Sequence, residues 1–215
     1  MQQLSFEKTK NLLEKYKIPF AKSILVKSSD QAKKTAKKIK FPLVLKLISP
    51  KIIHKTEAGA IKTGIEDEEQ LIKEYEKMIK AVKKRFPKIK IQGILLQKQE
   101  QGIEVIVGMK RDHQFGPVIV FGLGGIFVEI IKDVSLRIAP ITPEQSEEMI
   151  EEIKGYKILK GVRGKTKVNI KALNKIITST SKLVLENKKI IQLDFNPVIV
   201  NQKNAIIADA RIITE

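Results

Sequence analysis

The spacing of apolar residues predicts three helices and four strands in the first half of the chain. Apolar residues recur every three or four positions between Ser5 and Pro19, from about Ser28 to Lys40, and from about Asp67 to Phe86, which is the period of an amphipathic helix. Short and nearly continuous apolar runs predict strands instead. These runs are "PLVLKLIS", Ala60 to Ile65, "IKIQGILLQK" and "GIEVIVGMK".

The second half is predicted to be richer in strands. It opens with "PVIVFGL", "IFVEII" and "VSLRIAP" and ends with "IIQLDFNPVIV" and "AIIADARI". Between these clusters, a capping threonine followed by a proline predicts a helix that begins at Thr142, and a longer helix is predicted from about Asn169 to Asn187. Because strand clusters alternate with separate helices, we predict an α+β architecture rather than a regular βαβ winding.

The charge of the chain narrows the function only slightly. The 215 residues include 41 basic and 24 acidic ones, a formal charge of +17, which favours phosphates, nucleic acids or acidic partners. Most lysines lie at helical spacing among apolar residues, which is typical of solvated helix faces. Aromatic residues make up only 5% of the chain, which weakens the case for single-stranded nucleic acid.

Two further features of the composition restrict the chemistry and the location. The chain has no cysteine, which excludes disulfides, thiol nucleophiles and cysteine-ligated zinc. No run approaches the roughly 20 apolar residues that a membrane span needs, and the amino terminus lacks an apolar signal core. We therefore expect a cytoplasmic protein that does not bind membranes.

A lysine and a histidine stand out in "FPLVLKLISPKIIHKTEAGAIKTG". Lys46 interrupts a run otherwise fit for burial, so it either holds an anion such as a phosphate or extends to solvent from an edge strand. His54 is one of two histidines, and histidine serves as a metal ligand, a proton carrier or a phosphoryl acceptor. The other, His113, is predicted to be a surface loop residue.

Glycines between two predicted strands form a second candidate site. Gly122, Gly124 and Gly125 could let the backbone approach a ligand and direct amides at an anion. A tight hairpin uses glycines in the same way. The segment lacks the lysine and hydroxyl residue of a Walker loop.

Oxygen-bearing side chains near the carboxyl end form a third candidate site. Asp194 and Asn196 lie in "QLDFNP", and Asp209 follows thirteen positions after Asn196. Oxygen ligands on paired strands suit Mg²⁺, which commonly takes one or two protein ligands and leaves its other positions to water and phosphates. Turn chemistry alone also explains "NP".

Taken together, these segments resemble the ATP-grasp family, and more narrowly the β subunit of ADP-forming acetyl-CoA synthetase, a relative of the succinyl-CoA synthetase β subunit. The resemblance covers nearly the whole chain. It is carried in order by "FPLVLK", "SPKIIHKTEAG", "GIEVIVGMKRDHQFGPVIVFGLGGIFVEIIKDVSLRIAP", "DFNPVIV" and "ADAR". It implies two α/β subdomains that hold a nucleotide, and we place them at residues 1–97 and 98–215.

The resemblance implies roles for the nucleotide-binding residues. Lys46 matches the strand lysine that contacts nucleotide phosphates. Gln97 through Gln101 match the hinge where adenine docks, and Glu104 matches a carboxylate that seats the nucleotide. The three glycines, Gly122, Gly124 and Gly125, lie within one of the quoted segments, and we predict that they too bind the nucleotide.

The resemblance also implies the metal and the phosphoryl carrier. Asn196 and Asp209 match Mg²⁺ ligands, and Asp194 matches an acidic residue that orients a phosphorylated histidine. His54 matches the histidine that carries the phosphoryl group in the acetyl-CoA synthetase branch.

The implied reaction converts acyl-CoA, phosphate and ADP to acid, coenzyme A and ATP through an acyl phosphate and then a phosphohistidine. A CoA-binding α subunit would complete the enzyme as an α2β2 heterotetramer, with ATP or ADP and Mg²⁺ as cofactors. Two other functions stay open on the sequence. One is an ATP-grasp ligase that joins a carboxylate to an amine without phosphohistidine, and the other is a basic nucleic-acid-binding protein.

Overall fold

The helices begin at capping residues that the sequence provides. In the computed structural model, which describes residues 1–49, 58–125, 133–161 and 167–215, the Oγ of Ser28 accepts a hydrogen bond from the amide of Gln31. Thr142 and Gln145 form a reciprocal capping box, with distances of 3.3 and 3.0 Å. The described helices are α1 (Phe6–Lys15), α2 (Ser29–Ile39), α3 (Glu68–Arg85), α4 (Pro143–Glu152), α5 (Tyr156–Lys160) and α6 (Ile170–Glu186).

The strands follow the predicted apolar runs with a few differences. They are β1 (Gln2–Gln3), β2 (Ser23–Val26), β3 (Leu43–Ile48), β4 (Ile61–Ile65), β5 (Gly93–Lys98), β6 (Ile103–Asp112), β7 (Gly116–Leu123), β8 (Val134–Ile138), β9 (Ile190–Val200), β10 (Ala205–Ile207) and β11 (Ala210–Thr214). The short elements β1, β2 and α5 were not predicted. The predicted strand "IFVEII" lies outside the described residues.

Residues Ala21–Gln99 form the smaller of two units. Its antiparallel sheet has the order β2-β5-β3-β4, and α2 and α3 pack on one face. Leu43, Leu45 and Leu47 on β3 are fully buried in this core, where they join residues of both helices. Because side chains alternate along a strand, Val44 and Lys46 lie on the opposite face.

The larger unit combines Met1–Phe20 with Glu100–Glu215. Its sheet has the order β1-β11-β9-β6-β7-β8, with β10 paired to β9, and each of these strand pairs is antiparallel. Apolar residues of α1, α4 and α6 share one core with Phe121 of β7 and Phe195 of β9. We call the sheet face on the other side of these strands, away from this core, the second face.

The first twenty residues belong to the larger unit because of their strand pairing and burial. Gln2 and Gln3 pair with Thr214 and Ile213 of β11, and Leu13 is fully buried in the core of this unit. The division predicted at residue 97 puts these residues in the N-terminal subdomain instead. The chain passes from the larger unit to the smaller one after Phe20 and returns to the larger unit between Gln99 and Glu100. This return lies two residues beyond the predicted boundary at residue 97.

None of the described helices is long and apolar enough to cross a membrane.

Candidate active site

Three of the predicted site residues lie close together on neighbouring strands of the larger unit. Asp194 and Asn196 are two residues apart on β9 and therefore lie on the same face of the sheet. Asp209 occupies the break between β10 and β11, directly across from Asn196. The backbone amide of Asn196 donates to the backbone carbonyl oxygen of Asp209 over 3.1 Å. The sequence predicted one strand through "AIIADARI", whereas the structure divides it at this aspartate.

A bulge in β9 sets the position of Asn196. Val198 pairs with Val105 of β6, and Phe195 pairs with Val107, so Asn196 and Pro197 together lie opposite a single residue, Ile106. A bulge of this kind bends the strand and redirects a side chain, and proline is tolerated there. The sequence "DFNP" thus encodes a local distortion that leaves the Asn196 side chain exposed.

The electrostatics of this cluster are dominated by two carboxyl groups and one guanidinium. Burial and then the nearby charge of Asp209 raise the pKa of Asp194, whereas Arg211 opposes that rise. Arg211 lies directly opposite Asp194 in the β9–β11 pairing. The two carboxyl groups outnumber the one guanidinium, so a bound cation would offset the excess negative charge of the cluster.

The donor set fits Mg²⁺ rather than a transition metal. Asn196 and Asp209 offer an amide oxygen and a carboxylate oxygen from adjacent positions, and Mg²⁺ prefers such oxygen ligands. In the part of the chain that the structure describes, no group of three or more histidine, aspartate or glutamate residues could hold a metal. Two protein oxygens match the ligand count that Mg²⁺ takes when nucleotide phosphates supply the rest.

Gly124 and Gly125 lie beside Glu104, Gly122 lies beside Asp133, and packing constrains Gly122 and Gly124. The amide of Gly124 donates to the carbonyl oxygen of Glu104 over 2.7 Å, and a Cβ on Gly124 would lie 2.9 Å from the carbonyl carbon of Glu104. A Cβ on Gly122 would lie 2.7 Å from the carbonyl oxygen of Asp133. Gly125 has a φ of 65°. The Gly124 amide is therefore used within the protein, so the close approach of backbones explains this glycine without a ligand.

Lys46 and Gln97 lie on one face of the smaller sheet. Lys46 is 4% exposed on β3, and β3 lies between β4 and β5, so the alternative of an edge-strand lysine is wrong. Gln97 on β5 is 1% exposed, and its Nε2 donates to the Oγ of Ser23 over 2.9 Å. A buried ammonium in an interior strand is costly unless it meets an anion or hydrogen-bond acceptors.

The two histidines differ in what the structure tells about them. His54 lies outside the described residues, so its role stays a prediction. His113 occupies a turn after β6, and its side chain is 84% exposed, as expected for a surface residue.

Arg211 is the charged neighbour that the sequence analysis did not single out. It follows "ADA" and is the second residue of β11, where its side chain shares the second face with Asp194. The signal was a charged residue inside an apolar strand, the same signal that identified Lys46. Only the register of β9 and β11 shows that this charge lies beside Asp194.

Comparison with known proteins extends over nearly the whole chain. A family model described as an ATP-grasp domain matches residues 1–214. The β subunit of ADP-forming acetate–CoA ligase I of Pyrococcus furiosus is 43% identical over 205 residues, which are 95% of this chain and 88% of that protein. The ADP-forming acetate–CoA ligase I of Archaeoglobus fulgidus is 41% identical over 203 residues, which are 94% of this chain, yet the match spans only 30% of that longer protein.

A solved structure shares the fold closely. Acetyl-coenzyme A synthetase 1 of Candidatus Korarchaeum cryptofilum, in complex with coenzyme A and Ca-AMPCP, matches with a TM-score of 0.95 at 40% identity, over 100% of this chain and 94% of that chain. The same protein in complex with coenzyme A and Mg-AMPPCP matches with a TM-score of 0.86 at 36% identity, over 99% of this chain and 93% of that chain. In that complex its phosphohistidine segment points towards the nucleotide binding site.

Proposed function

This chain belongs to the family of ATP-grasp β subunits of ADP-forming acetate–CoA ligases, and from that premise we propose that it performs the nucleotide half of a reversible acid–CoA ligase reaction. In this reaction an acyl-CoA, phosphate and ADP give the free acid, coenzyme A and ATP. The proposal assigns to this chain the transfer of a phosphoryl group between a histidine and the nucleotide.

The observation that carries the proposal is the placement of Asn196 and Asp209 side by side, with Asp194 two residues from Asn196 on the same face of β9. Asn196 and Asp209 would hold the Mg²⁺ that accompanies the nucleotide, and this ion, when bound, supplies positive charge to the phosphates. Asp194 is left free to orient a histidine, because it need not be a metal ligand.

Three further residues would hold the nucleotide itself. Lys46 would contact the phosphates through its buried ammonium group, because the attraction between opposite charges is stronger away from water than at an exposed position. Gln97 and Glu104 would help to seat the nucleotide. Gly122 and Gly125 would let the backbone approach the nucleotide, whereas the amide of Gly124 is bonded to the Glu104 carbonyl oxygen, and this glycine would shape the strand end beside Glu104.

His54 would carry the phosphoryl group. When ATP is the donor, an imidazole nitrogen with a free electron pair attacks the terminal phosphorus, the nitrogen–phosphorus bond forms, and the bond to the bridging oxygen breaks. ADP leaves with the electron pair. The remaining ring N–H would donate to the Asp194 carboxylate, which fixes the tautomer. The reverse sequence gives ATP from ADP.

A partner subunit would supply the rest of the enzyme. The chain spans 88% of the β-subunit relative but about 30% of relatives in which the match is one part of a longer chain. We therefore propose a CoA-binding α subunit that makes the acyl phosphate, in an α2β2 heterotetramer.

Labelling with Mg²⁺ and ATP radioactive in the γ-phosphate tests the phosphoryl carrier. The wild-type chain should acquire an acid-labile, alkali-stable label, which is the behaviour of a phosphoramidate. His54→Ala should lose the label, whereas His113→Ala should keep it because that histidine is exposed in a turn. EDTA should abolish labelling of the wild type and of His113→Ala, since the phosphates need the metal.

Two results would contradict the proposal. Undiminished label in His54→Ala would remove the relay role of that residue. A wild-type chain that consumes ATP only with a carboxylate and an amine, and never acquires label, would identify the other class of ATP-grasp ligase.

A further inference from the structure

Arg211 has a buried donor without an acceptor. Its Nε lacks a hydrogen-bond partner within the described residues, although the atom is inaccessible to solvent. Buried polar groups of folded proteins are nearly always bonded, and an exception indicates a missing ligand or water, or a strained site. For a guanidinium the missing partner is an oxygen acceptor, most favourably a charged one.

The sheet register fixes where this donor lies. On β11, Ile212 pairs with Leu193 and Ala210 pairs with Phe195, and these partners on β9 belong to the core. Arg211 alternates with them and therefore shares the second face with Asp194, its direct partner. A shift by one residue would move the apolar set out of the core, so the position of the guanidinium is strongly specified.

The charges around Arg211 favour an anion that arrives with a cation. Asp194 and Asp209, if both ionised, carry two negative charges against one positive charge on Arg211. A bound Mg²⁺ would change the formal balance from −1 to +1, and a phosphate group would then be attracted. The guanidinium matches phosphate oxygens in geometry, with Nε–H and a terminal N–H side by side.

We propose that Arg211 is a ligand of the terminal phosphoryl group, to which its guanidinium donates while that group moves between ADP and His54. This inference rests on the proposed function, because it takes the phosphoryl group to be the one transferred there. Arg211 exchanges no proton or electron in the step. The nitrogen–phosphorus bond forms as the bond to the ADP oxygen breaks, and Arg211 stabilises the charge on the phosphoryl oxygens.

Two substitutions and one control separate this role from a structural one. Arg211→Lys keeps the charge but loses the planar pair of donors, and Arg211→Met loses both. Arg137→Lys is the control, because Arg137 pairs with Glu152 through its terminal nitrogens on the helix side of the same sheet. Circular dichroism and thermal unfolding establish that each variant folds.

The first measurement compares the affinities for Mg-ATP and Mg-ADP by titration calorimetry. Because the ligand is the terminal phosphoryl group, both Arg211 variants should lose about tenfold or more in affinity for Mg-ATP and distinctly less for Mg-ADP. The second measurement is the rate of labelling from ATP, which should fall about 10²-fold to 10³-fold, the usual effect of removing one charge-stabilising donor. Arg137→Lys should change neither quantity.

The outcomes distinguish this inference from the proposed function. If wild type is labelled on His54 and the Arg211 variants are labelled equally fast, the inference fails and the proposed function stands. Equal losses of affinity for Mg-ATP and Mg-ADP would also overturn it, because they indicate a general effect on the site. If wild type binds both nucleotides but acquires no label, the relay fails, and the ratio of ATP to ADP affinity still decides whether Arg211 contacts the terminal phosphate. Wild type that binds neither nucleotide overturns both.

Discussion

Gly124 lies so close to Glu104 that a side chain at position 124 would force the two backbones apart. The Gly124 amide donates a hydrogen bond to the Glu104 carbonyl oxygen. A Cβ added to Gly124 would lie 2.9 to 3.0 Å from the carbonyl carbon, the carbonyl oxygen and the Cβ of Glu104. Backbone atoms cannot yield as a flexible side-chain end can. Packing against Glu104 therefore favours glycine at position 124, whether or not this segment contacts a nucleotide.

Replacing Gly124 by alanine should destabilise the protein. We expect the free energy of unfolding to fall by about 1–3 kcal/mol, the usual cost of overpacking. Gly108 is the matched control, because its added Cβ would make ordinary contacts at 3.5 Å or more. Gly108→Ala should change the free energy by less than about 0.5 kcal/mol. Urea unfolding measures both, and equal effects would show that the closeness of Glu104 does not matter.

The site was predictable where a residue type is anomalous and unpredictable where register decides. Lys46 drew attention because a charge in an apolar run is rare, and the structure buries it in an interior strand. Arg211 has the same anomaly, yet its importance depends on pairing with a strand some seventeen positions earlier. Sequence spacing carries no information about which of several strands become neighbours or in what register.

At the scale of elements, a single acidic residue joins the edge strand β8 to helix α4. Glu152 accepts hydrogen bonds from Arg137 Nη1 and Nη2 at 3.0 and 2.6 Å, and it also accepts one from the Ser135 hydroxyl. The hydrogen bonds from Arg137 and then from Ser135 lower the pKa of Glu152. The carboxylate thus binds two residues of a strand that pairs with one neighbour, β7, among the strands that the structure describes.

The stabilising effect of Glu152 should depend on pH. A carboxyl group whose pKa is lowered on folding stabilises the protein above its unfolded pKa, and this contribution is lost as the pH falls through the folded pKa. Glu152→Gln should therefore lower the free energy of unfolding by about 1 kcal/mol at pH 7, a modest value because both side chains are partly exposed. The difference from wild type should shrink as the pH falls from 5 towards 3.

Urea titrations at several pH values test this, and Glu147→Gln on the exposed side of the same helix is the control. The control should show no comparable loss at pH 7. A Glu152→Gln effect that stays constant down to pH 3 would mean that the ionised carboxylate is not responsible.

Elements with a strong period were predicted well, whereas short or interrupted elements were not. The helices from Glu68 and from Ile170 follow the predicted ranges because apolar periodicity and caps agree. The pair Gln2–Gln3 has no apolar pattern and forms a strand only because β11 offers an edge. The break at Asp209 was missed because "AIIADARI" is apolar apart from Asp209 and Arg211. The break lies opposite Asn196 and Pro197, where β9 bulges.

At the scale of the whole molecule, the predicted α+β ATP-grasp fold is confirmed by the family model and by the solved relative. Among the five quoted segments, "FPLVLK" contains most of a buried strand, "DFNPVIV" contains the bulge of β9, and the long central segment contains the close approach of Gly124 to Glu104. Membership of the β-subunit family is also confirmed. The assignment of individual residues to nucleotide, metal and phosphoryl group stays a prediction, which the labelling and calorimetry address.

The first twenty residues belong to the larger unit, although they precede the smaller unit in the sequence. Leu13 and Leu71 are both fully buried leucines on helices, but Leu13 belongs to the core of the larger unit and Leu71 to that of the smaller one. Leu13 precedes the smaller unit in sequence, so a division at residue 97 assigns both to one subdomain. A substitution that creates a cavity should destabilise the unit whose core it enters, since each unit has its own apolar cluster.

Amide hydrogen exchange of Leu13→Ala and Leu71→Ala distinguishes the two assignments. Each variant should lose about 2–5 kcal/mol of local stability. In Leu13→Ala the loss of protection should fall on β9 and β11, whereas α3 and β3 keep theirs. In Leu71→Ala the pattern should be reversed. If Leu13→Ala instead deprotects α3 and β3 first, the first twenty residues stabilise the smaller unit, and the sequence-based division describes the cooperative units better than the contacts do.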